Sequence, residues 1–235
     1  MTKREKRAAK AAARDAGGRR RRETGGPGPT RGRRDPVPVV LVVAEGEKTE
    51  IDYLAWLNRR RREVRIDAYS KFNSPEQVVQ HALDRRKRGP ADARSVDRGE
   101  GYDAVWCFVD VDDHAHLPSA VARARQEGLE IAVSGRCFET WLLMHLRDET
   151  RPYSDSAAEK KAWRDLTGGP DRGEQGRLDD LKDGLPEALR RARAKRKQDE
   201  RNQIPRLQRN PYTDVDVFVR SVADLAGLPH EQLYR

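Results

Sequence analysis

Carboxylate residues follow two of the most apolar segments of the chain, at a spacing that could hold a divalent cation. Glu45 and Gly46 come at the end of the apolar run 36–45, and Asp110 and Asp112 come at the end of the run 102–113. Residues i and i+2 of an extended strand point to the same side, so the two aspartates could share one ion. Such oxygen donors suit Mg²⁺ or Mn²⁺. Each motif alone also fits solvated loop acids or helix caps.

Neighbouring residues offer further donors, each with a structural alternative. Asp113 could be another ligand or could cap the following helix, and Glu139 could be a fourth acidic group or complement the dipole of its own helix. His114 and His116 could bind a softer metal or be ordinary loop residues. Lys48 could contact a substrate phosphate or form a salt bridge with Glu50 or Asp52.

Alternating strand and helix patterns must position these residues. Apolar runs predict strands, and each is followed by a helical pattern; the four runs cover 36–45, 64–70, 102–113 and 129–135. Thr49 with Asp52 resembles a capping box, and Ser74 before Pro75 is a helix start. The alternation predicts an α/β fold with a parallel sheet of about four strands, covered on both faces. If strands one and three are neighbours, the order is 2-1-3-4 and Glu45 faces the aspartates where such sheets bind ligands.

Charge and composition divide the chain into three predicted parts. Residues 1–36 hold 13 Lys/Arg against 4 Asp/Glu, which leaves 35 of each sign in the rest of the chain. We expect a disordered basic tail over 1–35, because it lacks the residues that build a core. The α/β core is expected over 36–147 and a helical extension that packs on it over 148–235. The tail could bind polyanions or be a solvated extension.

A second basic segment lies in the extension. Residues 187–209 hold nine Lys/Arg and three Asp/Glu, and the pattern predicts a basic helix. Its cations could contact substrate phosphates, or could form i,i+4 pairs on an exposed structural helix; they are Arg190, Arg191, Arg193, Lys195, Arg196 and Lys197. A closing helix is predicted from near Thr213.

Several protein classes are excluded by composition. The sequence has no run of about 18 apolar residues and no apolar segment typical of a secretory signal. Cys107 and Cys137 form no CxxC pair, so neither a zinc framework nor a disulfide scaffold is expected, and a cytoplasmic setting fits best. The absence of a P-loop motif disfavours an ATPase.

The motifs resemble those of known families. Glu-Gly after the first strand with a later Asp-x-Asp resembles the Toprim fold, a Rossmannoid fold shared by topoisomerases, bacterial primases, OLD-family nucleases and RNA-maturing nucleases. More closely, four segments resemble motifs of RloB-like proteins over about residues 37–225: VVAEGEKTEIDYL, VDVDD, CFETWLLMH and NPYTDV. Arg136 departs from that pattern, where the resemblance predicts a proline.

The resemblance implies a function as well as a fold. It implies that Asp110 and Asp112 hold Mg²⁺ or Mn²⁺ and that Glu45 is a general acid/base or a further ligand in phosphoryl transfer. It also implies a component of bacterial anti-phage or genome defence, often beside an ATPase partner. The leading hypothesis is a metal-dependent phosphodiesterase, a nuclease that acts on DNA or RNA. The alternatives are a non-catalytic effector or adaptor that docks on an ATPase, and a nucleotide-binding sensor or enzyme that uses the same metal site.

Overall fold

The structure, a computed structural model, describes residues 37–90, 101–111, 116–169 and 173–234. Four sequence predictions therefore lie outside the described residues. They concern the basic tail over 1–35, Asp112, Asp113 and His114.

One sheet organises the described residues. Its strands are Val39–Ala44 (β1), Arg65–Tyr69 (β2), Ala104–Asp110 (β3), Glu130–Gly135 (β4) and Tyr212–Thr213 (β5), in the order β2-β1-β3-β4-β5. The first four are parallel, which confirms the predicted order 2-1-3-4. The expected count of about four misses β5, which pairs antiparallel to β4. Thr213 ends this strand, and the closing helix predicted from near Thr213 begins two residues later, at Val215.

The described ranges contain eight α-helices. They span Thr49–Arg60 (α1), Pro75–Arg88 (α2), Leu117–Gln126 (α3), Glu139–Leu146 (α4), Ser156–Leu166 (α5), Glu174–Leu178 (α6), Leu185–Arg201 (α7) and Val215–Leu225 (α8). The predicted start of α2 is confirmed, because the Ser74 hydroxyl accepts a hydrogen bond from the Gln77 backbone N–H and Pro75 is the first helical residue. In the part of the chain that the structure describes, no helix has the length and apolar character that crossing a bilayer requires.

Apolar side chains of β1 pack on both faces of the sheet, as the unbroken apolar run predicts. Val40 and Val42 belong to one buried cluster, and Leu41 and Val43 belong to the other. Helices α2 and α3 cover the second cluster. Helices α1 and α4 cover the first, together with apolar residues of the extension such as Leu185 of α7. Burial on both faces makes the sheet a rigid support for the residues at its edge.

The carboxyl ends of β1 and β3 lie side by side. Ala44, the last residue of β1, pairs with Phe108 of β3, and the Glu45 backbone N–H donates to the Phe108 carbonyl oxygen at 3.0 Å. Glu45 and Asp110 are thereby held at the same edge of the sheet.

Candidate functional site

A cavity of about 510 Å³ opens at this edge. The loop after β1 and the end of β3 contribute to it, and so do the first turn of α4 and helices α5 and α6. Its described lining consists of Gly46, Glu47, Lys48, Thr49, Glu50, Asp110, Glu139, Lys160, Trp163, Arg164, Gly173, Glu174 and Arg177. The volume falls in the range of small-ligand sites.

Glu45 and Asp110 contact each other as the strand order predicts. The Glu45 Oε2 accepts a hydrogen bond from the Asp110 backbone N–H at 3.4 Å, which is longer than usual and makes the bond weak. The Asp110 side chain is half-buried and lines the cavity, whereas Glu45 lies beside it and is not among the described lining residues. The predicted pairing of Asp110 with Asp112 lies outside the described residues.

Glu50 is a member of the site that the sequence interpretation missed. It is 6% exposed and lines the cavity, although it belongs to the first turn of α1. Its carboxylate lies against Gly46, where a Cβ atom would overlap Glu50 Oε1. The sequence does place Gly46 four residues before Glu50, but this spacing is common and does not by itself indicate a contact between the two residues.

Glu139 lies at the cavity, as the sequence predicts. It begins α4, is 4% exposed, and accepts a hydrogen bond from the Thr49 hydroxyl at 3.0 Å. The capping box predicted for Thr49 and Asp52 is wrong, because Lys48 is the N-cap of α1 and no side chain caps it. The Thr49 hydroxyl instead donates its hydrogen bond to Glu139, which lies 90 positions later in the chain.

The turn before α4 explains the departure at Arg136. Arg136 has a φ of 79°, in the left-handed region. A proline ring holds φ near −65°, so the proline that the resemblance predicts could not adopt this backbone conformation. The turn before α4 therefore has a different backbone conformation from a turn with proline at this position.

Mutual repulsion and burial perturb the carboxylates. Burial raises the pKa of Glu50 to about 7, and the charges of Glu139 and Glu45 add to the rise. Burial likewise raises the pKa of Asp110 well above its usual value, with contributions from Glu50, Glu139 and Glu45. These groups therefore retain protons that exposed carboxyls would release, until a cation compensates their charge.

Positively charged side chains of the extension line the same cavity, and they have different roles. Burial lowers the pKa of Lys160, but the charges of Glu139, Asp110 and Glu50 outweigh it, so the pKa of Lys160 is raised overall. The Arg177 guanidinium is used internally, since it donates to the carbonyl oxygens of Arg164 and Gly169 and to the Thr167 hydroxyl. Lys160 is thus placed to interact with charge in the cavity, whereas Arg177 supports its wall.

The donor set fits a hard divalent cation. Within the described ranges, Glu50, Asp110 and Glu139 form no ion pair, although they gather around one cavity and repel one another. No three His, Cys, Asp or Glu side chains of the described part are already close enough to form a metal cluster. A cation bound among these carboxylates would relieve their mutual repulsion.

The basic helix lies away from this cavity. None of its six predicted phosphate-binding cations lines it. Arg191 donates to the Met144 carbonyl oxygen at 2.7 Å, Lys195 pairs with Asp199, and Arg196 pairs with the buried Asp216. The other three are exposed, and Arg190 pairs with Glu187; they are Arg190, Arg193 and Lys197.

Of the remaining predicted residues, Lys48 lines the cavity and His116 does not. His116 is exposed, 3.8 Å from Glu76, and Lys48 is exposed at the cavity. In the part of the chain that the structure describes, Lys48 forms a salt bridge with neither Glu50 nor Asp52.

A family model described as RloB-like protein matches residues 40–222, more than three quarters of the chain. No curated protein and no solved structure matches the sequence.

Proposed function

This chain belongs to the RloB-like protein family, and from that premise and the geometry of the cavity we propose that it is a metal-dependent phosphodiesterase that cleaves nucleic acid. One observation carries the proposal: Glu50, Asp110 and Glu139 gather with Glu45 at the carboxyl edge of a parallel sheet. There the pKa values of Glu50 and Asp110 are raised. Perturbed carboxylates in a cleft are typical of catalytic sites.

The proposed cofactor is Mg²⁺ or Mn²⁺, held by Asp110 and Asp112, with Asp113 and Glu139 as further donors. When bound, such an ion stabilises charge on a transferring phosphoryl group and lowers the pKa of a bound water. In the wider fold classification this arrangement corresponds to a Toprim-like site, which the order of β1 and β3 supports.

The chain's own residues have distinct roles in the proposed reaction. Glu45 accepts the proton of the attacking water, since its carboxylate lies beside Asp110 at the carboxyl edge of the sheet. The Thr49 hydroxyl holds the Glu139 carboxylate in one orientation. Lys48, exposed at the cavity, binds a substrate phosphate.

The proposed biological setting is bacterial anti-phage or genome defence in the cytoplasm, next to an ATPase partner. The buried free thiols of Cys107 and Cys137 are compatible with a reducing compartment. Membership in the family supports this setting.

A nuclease panel tests the activity. The purified protein is incubated with single- and double-stranded DNA and RNA, in Mg²⁺ or Mn²⁺ and with EDTA. We expect cleavage that EDTA abolishes and that Asp110→Asn and Asp112→Asn remove. Asp165→Asn is the matched control, because Asp165 is an exposed carboxylate of α5 that pairs with Lys161.

Two results would contradict the proposal. Cleavage that survives both EDTA and Asp110→Asn would place the chemistry elsewhere. Saturable metal binding without cleavage of any nucleic acid would favour the adaptor or the nucleotide sensor.

A further inference from the structure

We propose that helix α5 supplies a phosphate-binding pair, Lys160 and Arg164, which holds the backbone of a nucleic-acid substrate beside the carboxylates. The inference rests on the proposed function and names residues of the extension that lie outside the four sequence motifs.

The two side chains share one face of α5. They are four residues apart, which brings them together on a helix surface, and both line the cavity. Asp110 and Glu139 line the same cavity. A phosphodiester bound against these carboxylates therefore lies in the same cavity as the two cations.

Buried contacts hold α5 in this position. Glu159 directly precedes Lys160, and Trp163 directly precedes Arg164. Both side chains are buried. Glu159 accepts hydrogen bonds from the Thr140 hydroxyl, next to Glu139, and from the Cys137 thiol at 3.2 Å. The Trp163 indole N–H donates to Glu174 at 2.9 Å. The helix face that carries the cations is thus fixed relative to Glu139.

Lys160 and Arg164 have uncommitted charges. Neither side chain makes a hydrogen bond or an ion pair in the part of the chain that the structure describes. The neighbouring Lys161, by contrast, pairs with Asp165 on another face of the helix. Arg and Lys are suited to phosphate, Arg through its planar fork and Lys as a point charge.

Salt-dependent binding tests the pair. Fluorescence anisotropy measures binding of a labelled single-stranded DNA oligonucleotide in Mg²⁺, in an Asp110→Asn background that prevents turnover. Each phosphate contact to a single strand contributes about 0.7 to the slope of log K against log salt. Lys160→Gln with Arg164→Gln should therefore reduce the slope by about 1.4. The double variant should lose roughly 25-fold more affinity at about 0.1 M than at about 1 M salt.

Lys161→Gln is the matched control, with the loss of one positive charge from the same helix. It should keep the parental slope, and melting curves should show that all variants are folded. An unchanged slope in the double variant, or an equal reduction per charge in the control, would overturn the inference.

The binding readout separates this inference from the proposed activity. If the wild type cleaves no nucleic acid but the double variant shows the reduced salt slope, the proposed nuclease activity is refuted and the phosphate-binding role of Lys160 and Arg164 still stands. Cleavage by the wild type, with an unchanged slope in the double variant, would refute the pair alone.

Discussion

Replacement of Glu50 by glutamine should stabilise the metal-free protein at neutral and alkaline pH. Glu50 is buried against Gly46 and faces other carboxylates, so its ionised form is unfavourable in the folded state. Glutamine has nearly the same shape and carries no charge, so Glu50→Gln removes the titration and keeps the packing.

The size of the effect follows from the raised pKa. Burial, with the charges of Glu139 and Glu45, raises the pKa of Glu50 from an ordinary 4.5 to about 7. Each unit corresponds to about 1.4 kcal/mol, so the shift amounts to about 3 kcal/mol. Because the folded pKa lies above the unfolded one, the contribution of Glu50 is fully present below about pH 4.5. It is lost as the pH rises through about 7.

Urea denaturation in EDTA at several pH values measures this effect. The unfolding free energy of Glu50→Gln minus that of the wild type should increase by about 3 kcal/mol between about pH 4.5 and about pH 8. Glu127→Gln, at an exposed glutamate after α3, is the control and should show no comparable trend. Parallel stability curves for Glu50→Gln and the wild type would refute the argument that a buried, repelled carboxylate lies at this site.

Three further substitutions test the surrounding residues. Mg²⁺ at 100 times its Kd should raise the wild-type unfolding free energy by about 2.7 kcal/mol. Asp110→Asn should lose most of that gain in a thermal-shift assay, and an undiminished gain would argue against a metal at Asp110. Gly46→Ala should fold but bind Mg²⁺ more weakly by calorimetry, because the new Cβ displaces Glu50, whose negative charge next to Asp110 helps to attract the cation; an unchanged Kd would contradict this. Thr49→Val should lower kcat/KM roughly 2- to 10-fold through loss of one hydrogen bond to Glu139. Equal values would show that this bond is not used.

Much of the fold could be predicted because its signals are local. The apolar run of β1 predicts a strand that is buried on both faces, and the structure buries it on both. Ser74 and Pro75 predict the start of α2 from four consecutive residues. The order of β1 and β3 then places Glu45 beside Asp110, since both residues end apolar strands. Hydrophobic periodicity and helix capping act within a few residues, so a sequence displays them directly.

Other features depend on contacts between distant segments, which no local pattern encodes. The two residues of β5 are too few to show a strand pattern, and they form a strand only because β4 offers a free edge. The basic character of α7 predicted phosphate contacts, yet Arg196 is committed to the buried Asp216 of α8.

The site shows the same division between local and distant determinants. The sequence by itself determined that Glu45, Asp110 and Glu139 follow or begin regular elements at one edge of a parallel sheet. Only the tertiary structure decided that Glu50 turns onto Gly46 and that α5 brings Lys160 to the same cavity. The physical reason is that side-chain direction and partner choice are determined by packing between elements, which depends on the whole chain at once.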